Sequence, residues 1–459
     1  MVRGMNALTS DLLIIGAGPT GLAAGCDALR HGLSVRLVER RATRALESKA
    51  LVVHARTMEV FEVMGCAAAV EAQGQRFRAL NARPTQAAAP VRIDLLARNW
   101  GDTRYPFWLS VPQFEVERAL EARFVALGGR VEWSTSLEGL TQTPEGVEAT
   151  LEVGGVEHVH RARWVLGCDG GRSATRSAVG LELPREGLGV TFALTDVWTN
   201  GALVADEGQV VLTPEGVLLI VPMPTPGLRR LIAQVPADFD AADLGAWSRL
   251  VESRAGLDLG MQRLGWNSRF DLTGGVATRF RHGRVFLLGD AAHVHSPVGG
   301  QGLNTGVQDA HNLVWKLALA SRDGLDDAAR EALLDTYEAE RRPIAEEMVR
   351  MTTLATRVLT LKNPVARFAR GVAARALLRA PLFQNQLSRR VGMLDLQSDG
   401  HGRLENPELP GGRRLHDVLD PLRPTLLSWK GREVLVRPDR VVARPGLFPA
   451  SFASKVTVA

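Results

Sequence analysis

The beginning of the chain alternates between apolar runs and glycine-rich breaks. Residues 11–15 form an apolar run that is typical of a buried strand, and residues 22–30 have the apolar pattern of a helix. Gly32 ends this helix, and residues 34–39 form a second strand that finishes at Glu39. A Gly-x-Gly-x-x-Gly turn joins the first strand to the helix, and its residues are Gly16, Gly18, Pro19, Thr20 and Gly21. The pattern predicts a strand–helix–strand unit.

A second apolar strand precedes a glycine-rich loop later in the chain. Residues 286–288 form the strand, and a sharp turn at Gly289 and Asp290 ends it. The glycines of the loop that follows are Gly299, Gly300 and Gly302. Because glycine has no side chain, the backbone of this loop can approach a bound partner closely.

We expect a helix directly after this loop, because apolar residues recur there at the helical period. The residues of its apolar face are Val307, Ala310, Leu313, Val314 and Leu317. Asn304 or Thr305 can cap its start with a side-chain oxygen. Free N–H groups and the positive dipole end at Leu303 and Asn304 then face a partner with negative charge. An ordinary strand–loop–helix unit without a ligand is the alternative.

Two internal segments, residues 81–104 and 181–275, have short β-rich runs separated by Pro and Gly, which predict a β-sheet. The runs are 91–95, 190–197, 209–212, 217–221 and 231–235. Residues 361–392 predict arginine-rich helices. A basic amphipathic helix can lie on a membrane, although such faces are more often solvated or packed on a neighbour. Residues 401–459 form a separate tail.

The composition is that of a globular protein with two or three domains. The chain has 459 residues, 45% of them hydrophobic and 23% charged, and a net charge of +5. Its scattered arginines indicate compositional bias and no nucleic-acid partner, since no aromatic-interleaved basic motif appears. The three cysteines have no disulfide or zinc spacing, so we expect a reducing cytoplasm and no metal. No apolar run is long enough for a transmembrane segment.

The glycine turn indicates dinucleotide binding. Gly16 permits the tight turn, Gly18 lets the backbone reach a pyrophosphate, and Gly21 allows helix and strand to pack closely. Glu39 ends the second strand, where an acidic side chain can bind ribose hydroxyls. A structural glycine turn in another α/β protein is the alternative. The turn alone does not separate NAD from FAD.

Three motifs follow one another in an order that resembles a known family. They are the glycine turn ending in Glu39, residues 164–173 with Arg176, and Gly289-Asp290 together with residues 297–304. The spacing of the third motif is very specific. The family is that of the single-component flavin-dependent aromatic hydroxylases related to p-hydroxybenzoate hydroxylase. Residues 334–343 also resemble a family segment, so the resemblance covers about residues 10–345.

The resemblance implies an α/β fold: a Rossmann-like FAD-binding domain, an inserted mixed or antiparallel β-sheet substrate domain, and a helical region with a short C-terminal tail. The expected parts are residues 1–80, 105–180 and, with helices, 276–400 for the FAD-binding domain, residues 81–104 and 181–275 for the substrate domain, and residues 401–459 for a region resembling a truncated thioredoxin-like domain. The tail lacks a Cys-x-x-Cys pair, so we expect no redox role for it.

The resemblance also implies which residues bind FAD. They are Gly16, Gly18, Pro19, Thr20, Gly21, Glu39, Arg40, Lys49, Gln113, Asp169, Gly289, Asp290, Gly300, Gly302, Leu303 and Asn304. Asp290 is expected to be a buried carboxylate that binds a ribityl or ribose hydroxyl. Asp169 is expected to bond to backbone near the pyrophosphate. The family usually has arginine at the position of Lys49, and lysine keeps the charge without the two-pronged geometry. A helix-cap glutamine at the surface is the alternative for Gln113.

The implied chemistry belongs to the cofactor. NAD(P)H docks transiently and reduces the flavin, and O₂ then gives a C4a-hydroperoxide that hydroxylates an aromatic or polyketide-like ring. Pro297 and the loop after it are expected to flank the reactive face of the flavin. His293 is a candidate proton carrier, as are His54 and His295. Tyr105 is the tyrosine free to help deprotonate a phenol.

Alternatives to hydroxylation are open at this point. A related flavoenzyme, such as a reductase or a halogenase, is one, although the Trp-x-Trp-x-Ile-Pro segment of halogenases is missing. A flavin-binding protein without catalysis is another. The expected partners are a small aromatic substrate, O₂, NAD(P)H and a second copy of the chain in a homodimer.

Overall fold

The computed structural model describes residues 9–46, 50–83, 89–201, 203–296, 299–361, 363–395, 397–398, 401–409, 412–429, 432–443 and 452–458. The elements up to residue 180 are β1 (Ser10–Ile15), α1 (Pro19–Arg30), β2 (Val35–Val38), β3 (Val52–Val53), α2 (Ala55–Met64), α3 (Ala67–Glu71), β4 (Gln75–Arg76), β5 (Ala79–Arg83), β6 (Val91–Asp94), β7 (Leu109–Ser110), α4 (Gln113–Ala126), β8 (Val131–Glu132), β9 (Thr135–Gln142), β10 (Val147–Val153), β11 (Val156–Gly167) and α5 (Ala174–Ala178).

The remaining elements begin with the strands of a second sheet and end in the tail. They are β12 (Glu186–Thr199), β13 (Glu207–Thr213), β14 (Gly216–Pro222), β15 (Leu228–Val235), α6 (Leu244–Ala255), β16 (Met261–Val276), β17 (Arg281–His282), β18 (Val285–Leu287), β19 (His293–Val294), α7 (Gly302–Ala320), α8 (Asp327–Leu359), α9 (Pro364–Arg379), α10 (Pro381–Val391), β20 (Gln397–Ser398), β21 (His401–Gly402), β22 (Thr425–Trp429), β23 (Arg432–Val436) and β24 (Ser454–Val458). Short 3-10 helices span Gly289–Ala291 and Leu415–Val418.

The first sheet is built around β1. Its strand order is β17-β18-β11-β1-β2-β8, and β1 runs parallel to both β2 and β11. Helices α1, α4 and α7 contribute to the apolar core beside this sheet. The carboxyl ends of β1, β2, β11 and β18 therefore share one edge, which is where ligands bind in sheets of this kind.

The second sheet has the order β19-β16-β12-β15-β14-β13-β5-β6 and is largely antiparallel. Helix α6 covers one face, where Trp247 packs among buried residues of β12, β14 and β15. On the opposite face, half-buried apolar side chains surround a small buried group, and they are Leu188, Val190, Val210, Leu219, Ile232 and Phe270. We call this side the apolar sheet face.

The two sheets are joined directly. Strand β19 pairs with the end of β16, so the segment after Gly289 becomes an edge of the second sheet. The hydroxyl of Ser110, on β7, donates a hydrogen bond of 2.6 Å to the carbonyl oxygen of Pro222, on β14. The apolar sheet face is thereby fixed relative to the first domain.

The tail is held on α7 and α8 by buried ion pairs. The guanidinium of Arg437 donates two hydrogen bonds of 2.8 Å to the carboxylate of Glu340, and the ammonium of Lys316 lies 3.1 Å from the same carboxylate. Arg403 donates in the same way to Glu59 on α2, at 2.6 Å and 2.8 Å. Strands β23, β22 and β24 form a small sheet of their own.

The predicted fold class is confirmed, and the residue boundaries of the domains stay predictions. Two local expectations change. The first helix begins at Pro19 instead of residue 22, and the helical stretch 361–392 is broken at Ala380 before Pro381. No helix within the described ranges is long and apolar enough to cross a bilayer.

Candidate functional site

The glycine turn lies at the carboxyl end of β1, against β11. Gly16 has a φ of +103°, and a β-carbon on it would lie 2.5 Å from the carbonyl oxygen of Cys168. A β-carbon on Gly21 would overlap the carbonyl oxygen of Gly16. On Gly18, in contrast, a β-carbon would have no atom within 4 Å beyond its chain neighbours. The turn is thus tightly packed at Gly16 and Gly21, whereas the space next to Gly18 is open.

Helix α1 begins at this open space. Gly18 is the N-cap, Pro19 follows it, and the start of the helix has neither a side-chain cap nor an acidic residue in its first turn. The first N–H groups of such a helix are free to bind an anion, which the helix dipole also favours. The turn and α1 together fit the pyrophosphate of a dinucleotide.

Glu39, just after β2, is bound to the turn. Its carboxylate accepts hydrogen bonds from the N–H groups of Ala17 at 2.9 Å and Arg41 at 3.0 Å, and from the Arg41 guanidinium at 3.0 Å. Burial raises the pKa of Glu39, but the bonds from Arg41 and Ala17 outweigh it, so this pKa lies below its usual value. The carboxylate expected on ribose hydroxyls is therefore ionised and already has protein donors. Arg40 beside it is exposed.

Gln113 is the first residue of α4, on the same side as Glu39. Its side-chain amide donates a hydrogen bond of 2.9 Å to Glu117, and its N–H donates to the carbonyl oxygen of Ala50 at 3.3 Å. It is half-buried, and its contact with the cofactor stays a prediction. Lys49 and Pro297 lie outside the described residues.

Asp169 binds its own loop. The carboxylate accepts hydrogen bonds from the hydroxyl of Ser173 at 2.6 Å and from the N–H and hydroxyl of Thr175 at 2.9 Å and 3.0 Å. Its bond to backbone is thus made to the N–H of Thr175, at the start of α5, and its nearness to a pyrophosphate stays a prediction. A β-carbon on Gly16 would lie 3.0 Å from the Cα of Asp169, so this loop backs the glycine turn.

Gly289 and Asp290 connect β18 to the turn. A β-carbon on Gly289 would lie 2.6 Å from the hydroxyl oxygen of Thr20, so the two motifs touch. Asp290 is exposed, which corrects the expectation of a buried carboxylate. Its oxygen lies 4.0 Å from where a β-carbon on Gly302 would be. Within the described part of the chain its carboxylate has no hydrogen bond and is available to ligand hydroxyls.

His293 is fully buried behind this turn. Its Nε2 lies 2.7 Å from Asp309, whose same oxygen accepts the N–H of Gly289 at 3.1 Å. Arg341 donates to the other oxygen at 2.7 Å. Burial raises the pKa of Asp309, but Arg341 and His293 lower it below its usual value. The ring therefore supports the Gly289 turn from inside and does not face the site's surface.

Asn304 does not cap α7, which corrects that prediction. Its Oδ1 accepts the N–H of His54 at 2.9 Å, and its amide donates to the carbonyl oxygens of Val52 at 2.9 Å and Gly300 at 2.7 Å. The hydroxyl of Thr305 donates backwards to the carbonyl oxygen of Gln301 at 3.0 Å. Because the Asn304 side chain is hydrogen-bonded to Val52 of β3 and to His54, it cannot cap the helix. Helix α7 therefore begins at Gly302 without a side-chain cap, and within the described residues no side chain accepts from its first N–H groups.

His295 adds an unpaired acceptor at this helix start. Its Nδ1 lies 2.7 Å from the carbonyl oxygen of Ser296, which only accepts, so Nδ1 carries the proton. Its Nε2 is buried, has no partner among the described residues, and lies 3.3 Å from where a β-carbon on Gly302 would be. Burial lowers the pKa of His295, so the ring is neutral near pH 7. A ligand N–H group fits this acceptor.

His54 holds the glycine loop from the other side. Its Nε2 donates a hydrogen bond of 2.8 Å to the carbonyl oxygen of Gly299, and burial lowers its pKa to about 4. Its ring meets Trp108 edge-on at 6.2 Å, and Trp108 in turn meets Phe77 and Trp100. An aromatic wall therefore stands beside the loop.

Tyr105 does not belong to this wall. Its ring packs edge-on against Phe107 at 6.1 Å. Burial and the neighbouring Glu62 raise its pKa, which makes the phenolate harder to form. The prediction that Tyr105 helps to deprotonate a substrate is therefore not supported by its place.

The three motifs converge at one edge of the first sheet, and what they offer fits FAD: open space at Gly18, two uncapped helix starts, the free carboxylate of Asp290 and the unpaired Nε2 of His295. The family model described as an FAD binding domain matches residues 9–352. The chain belongs to the FAD-dependent aromatic hydroxylases.

The hydroxylase is similar to proteins of known activity over most of its length. It is 36% identical over 386 residues to 6-methylpretetramide 4-monooxygenase of Streptomyces rimosus, covering 83% of this chain and 68% of that protein. It is 31% identical over 458 residues to pentachlorophenol 4-monooxygenase of Sphingobium chlorophenolicum, covering 93% and 81%. The solved anhydrotetracycline hydroxylase of Streptomyces rimosus matches 95% of both chains at 29% identity and a TM-score of 0.76. The protein is an FAD-dependent monooxygenase.

Two residues that shape the site of the hydroxylase were missed in the sequence. Asp309 accepts the N–H of Gly289 directly and also contacts His293, and Arg341 binds its other oxygen. Arg341 lies in the segment 334–343 that resembles the family, but no role at the site was predicted for it. The available signal was an acidic residue next to the apolar face of a helix, where an unpaired charge is not stable.

Proposed function

We propose that this monooxygenase hydroxylates a polycyclic, polyketide-like aromatic compound, with NAD(P)H and O₂ as co-substrates. The observation that carries the proposal is the apolar sheet face, which is half-buried and belongs to the sheet that the hydrogen bond from Ser110 to Pro222 ties to the first domain. A broad apolar bed of this kind suits a flat ring system better than a small polar ring. The named activity of the Streptomyces rimosus relative supports the same substrate class.

We propose the following division of cofactor contacts. The turn at Gly16, Gly18 and Gly21 and the start of α1 at Pro19 and Thr20 hold the pyrophosphate. Glu39, with Arg40 and Gln113 at the rim, lies on the ribose side, and Asp290 takes a ribityl hydroxyl. The loop at Gly300 and Gly302 and the N–H groups at Leu303 and Asn304 face the pyrimidine edge, where His295 accepts a ligand N–H. Lys49 and Asp169 stay predicted contacts, and the latter acts from behind the turn.

The chemistry that FAD supplies when bound is hydride uptake from NAD(P)H and transfer of one oxygen atom of O₂ to an electron-rich ring carbon. The helix start of α7 favours negative charge at its N–H groups, which lowers the cost of charge on a ligand there. His54 and Asn304 keep the Gly299–Gly300 segment in place. We assign His293 a positioning role, because its ring is bonded to Asp309 inside the core. Pro297 stays a predicted neighbour of the reacting face.

The proposal includes transient docking of NAD(P)H, no nucleic-acid partner and a cytoplasmic location. Cys26, Cys66 and Cys168 are all free and buried, which suits a reducing compartment. The homodimer expected from the sequence stays a prediction, which light scattering on the purified protein tests.

The test is a turnover experiment with purified, FAD-loaded protein. NADH or NADPH is supplied in air with a panel of tetracyclic and single-ring phenols, and products are analysed by mass spectrometry with ¹⁸O₂. We expect a product that gains one labelled oxygen atom from a tetracyclic compound. NAD(P)H consumption that gives only hydrogen peroxide with every tetracycle, or product from single-ring phenols alone, would contradict the proposed substrate class.

A further inference from the structure

Helix α9 presents its apolar side to solvent, which is the reverse of the usual arrangement on a globular protein. Val365 is 75% exposed, Phe368 72% and Val372 57%, and their spacing of three and four residues puts them on one face. Gly371 is the only buried residue of this helix. Within the described residues, no other element covers this apolar stripe.

The exposed apolar side chains extend onto the neighbouring helices. Seven of the fourteen exposed large hydrophobic side chains of the described residues fall between 354 and 382, and we call them the α9 patch: Leu354, Val358, Val365, Phe368, Val372, Leu377 and Leu382. Arg370 donates to the carbonyl oxygens of Val358 at 3.1 Å and Leu359 at 2.8 Å, which holds α9 against the end of α8. Single exposed hydrophobics are ordinary, whereas a concentration of them marks an interaction surface.

The segment that carries most of the α9 patch has basic residues only. Residues 361–394 contain seven basic residues and no acidic residue. Arg389 and Arg390 pair with Asp395 and Glu347. The side chains of Arg367, Arg375 and Arg379 form no hydrogen bond or ion pair with any part of the chain that the structure describes. Guanidinium groups without a carboxylate partner, next to exposed apolar side chains, suit a partner that is both anionic and apolar.

We propose that the α9 patch docks on the surface of an anionic lipid bilayer. Apolar side chains enter the boundary between head groups and acyl chains, while arginines at the flanks bind lipid phosphates. A second copy of the same face would bring unpaired arginines together with no acidic residue in residues 361–394 to receive them, so charge disfavours self-association there. This proposal departs from the sequence-based preference for a solvated or packed helix face.

The test is co-sedimentation of the FAD-loaded protein with vesicles. One set is pure phosphatidylcholine, and the other contains phosphatidylglycerol as well. We expect binding to the second set only, weakened by salt. Phe368→Glu is expected to lower the partition coefficient by about tenfold or more, since it removes an inserting ring and adds repulsion. Arg379→Gln is expected to lower it about fivefold.

The matched control is Val125→Glu, which introduces the same charge at a 56% exposed position of α4, outside the α9 patch. It is expected to bind vesicles like the unmodified protein. Thermal unfolding and flavin content show whether a variant is folded, which separates loss of vesicle binding from misfolding. Both should be unchanged, because exposed positions contribute little to stability. Equal binding to both vesicle sets, or none to either, would overturn the proposal. So would a dimer that binds no vesicles and that Phe368→Glu dissociates. None of these outcomes depends on the substrate proposed above.

Discussion

Replacing Asn304 by alanine tests how the glycine loop is held for the cofactor. The buried side chain makes three hydrogen bonds, to the N–H of His54 and to the carbonyl oxygens of Val52 and Gly300. At about 1 kcal/mol net for each bond, the free energy of unfolding should fall by about 3 kcal/mol. The substitution also removes the hydrogen bonds by which Asn304 joins Gly300 to Val52 of β3. FAD affinity should therefore fall by about tenfold, or about 1.4 kcal/mol.

Two measurements on the same preparation separate the effects. Urea unfolding gives the stability, and titration of the flavin-free protein with FAD, followed by quenching of flavin fluorescence, gives the Kd. The control is Asn363→Ala, which removes the two hydrogen bonds that the Asn363 side chain accepts at the start of α9. It should cost about 1 kcal/mol of stability and leave the Kd unchanged. A destabilised Asn304→Ala protein that binds FAD as tightly as the unmodified protein would refute the link between this side chain and the cofactor site.

Three further predictions concern the same site and the tail. Asp290→Ala should lose bound FAD while keeping the unfolding midpoint of the flavin-free protein, because the side chain is exposed; a purified variant with full yellow colour would refute this. Gly18→Val should also abolish FAD binding without loss of stability, since a β-carbon there meets only open space; unchanged flavin affinity would count against the pyrophosphate assignment. Burial raises the pKa of Glu340, but Lys316 and Arg437 lower it from 4.5 to about 2. The ionised Glu340 carboxylate should thus stabilise the fold by roughly 3 kcal/mol above pH 4.5, and this stabilisation should be lost as the pH falls towards 2. In urea unfolding, Glu340→Gln should therefore lower the free energy of unfolding more at pH 5 than at pH 3. An equal loss at both pH values would contradict the prediction.

The glycine turn could be predicted from the sequence because its requirements are local. The positive φ of Gly16 and the contact of Gly21 with the carbonyl oxygen of Gly16 both arise within the strand–turn–helix unit itself, so residue type and spacing were sufficient. The strands at 190–197, 209–212, 217–221 and 231–235 were also predicted, since half-burial gives each an apolar pattern.

The sequence could not assign side chains whose partners lie far along the chain. Asparagine is a residue type that often caps helices, but the side chain of Asn304 is hydrogen-bonded to the segment of β3 and His54, some 250 residues earlier. Asp290 was expected to be buried and is exposed, because the turn at Gly289 is fixed from behind by Asp309. Tyr105 was the free tyrosine by elimination, yet the structure puts it beside Glu62. In each case a tertiary contact decided what local propensity left open.

The ion pairs between Arg437 and Glu340 have a consequence for the order in which the protein is made. Arg437 emerges from the ribosome almost a hundred residues after Glu340, since the two are separated by 97 positions. Until then Glu340 and Lys316 share a core position without the guanidinium that completes their hydrogen bonds. The buried ion pairs of α7 and α8 are therefore completed by a residue of the tail, which couples the folding of the tail to that of the two helices.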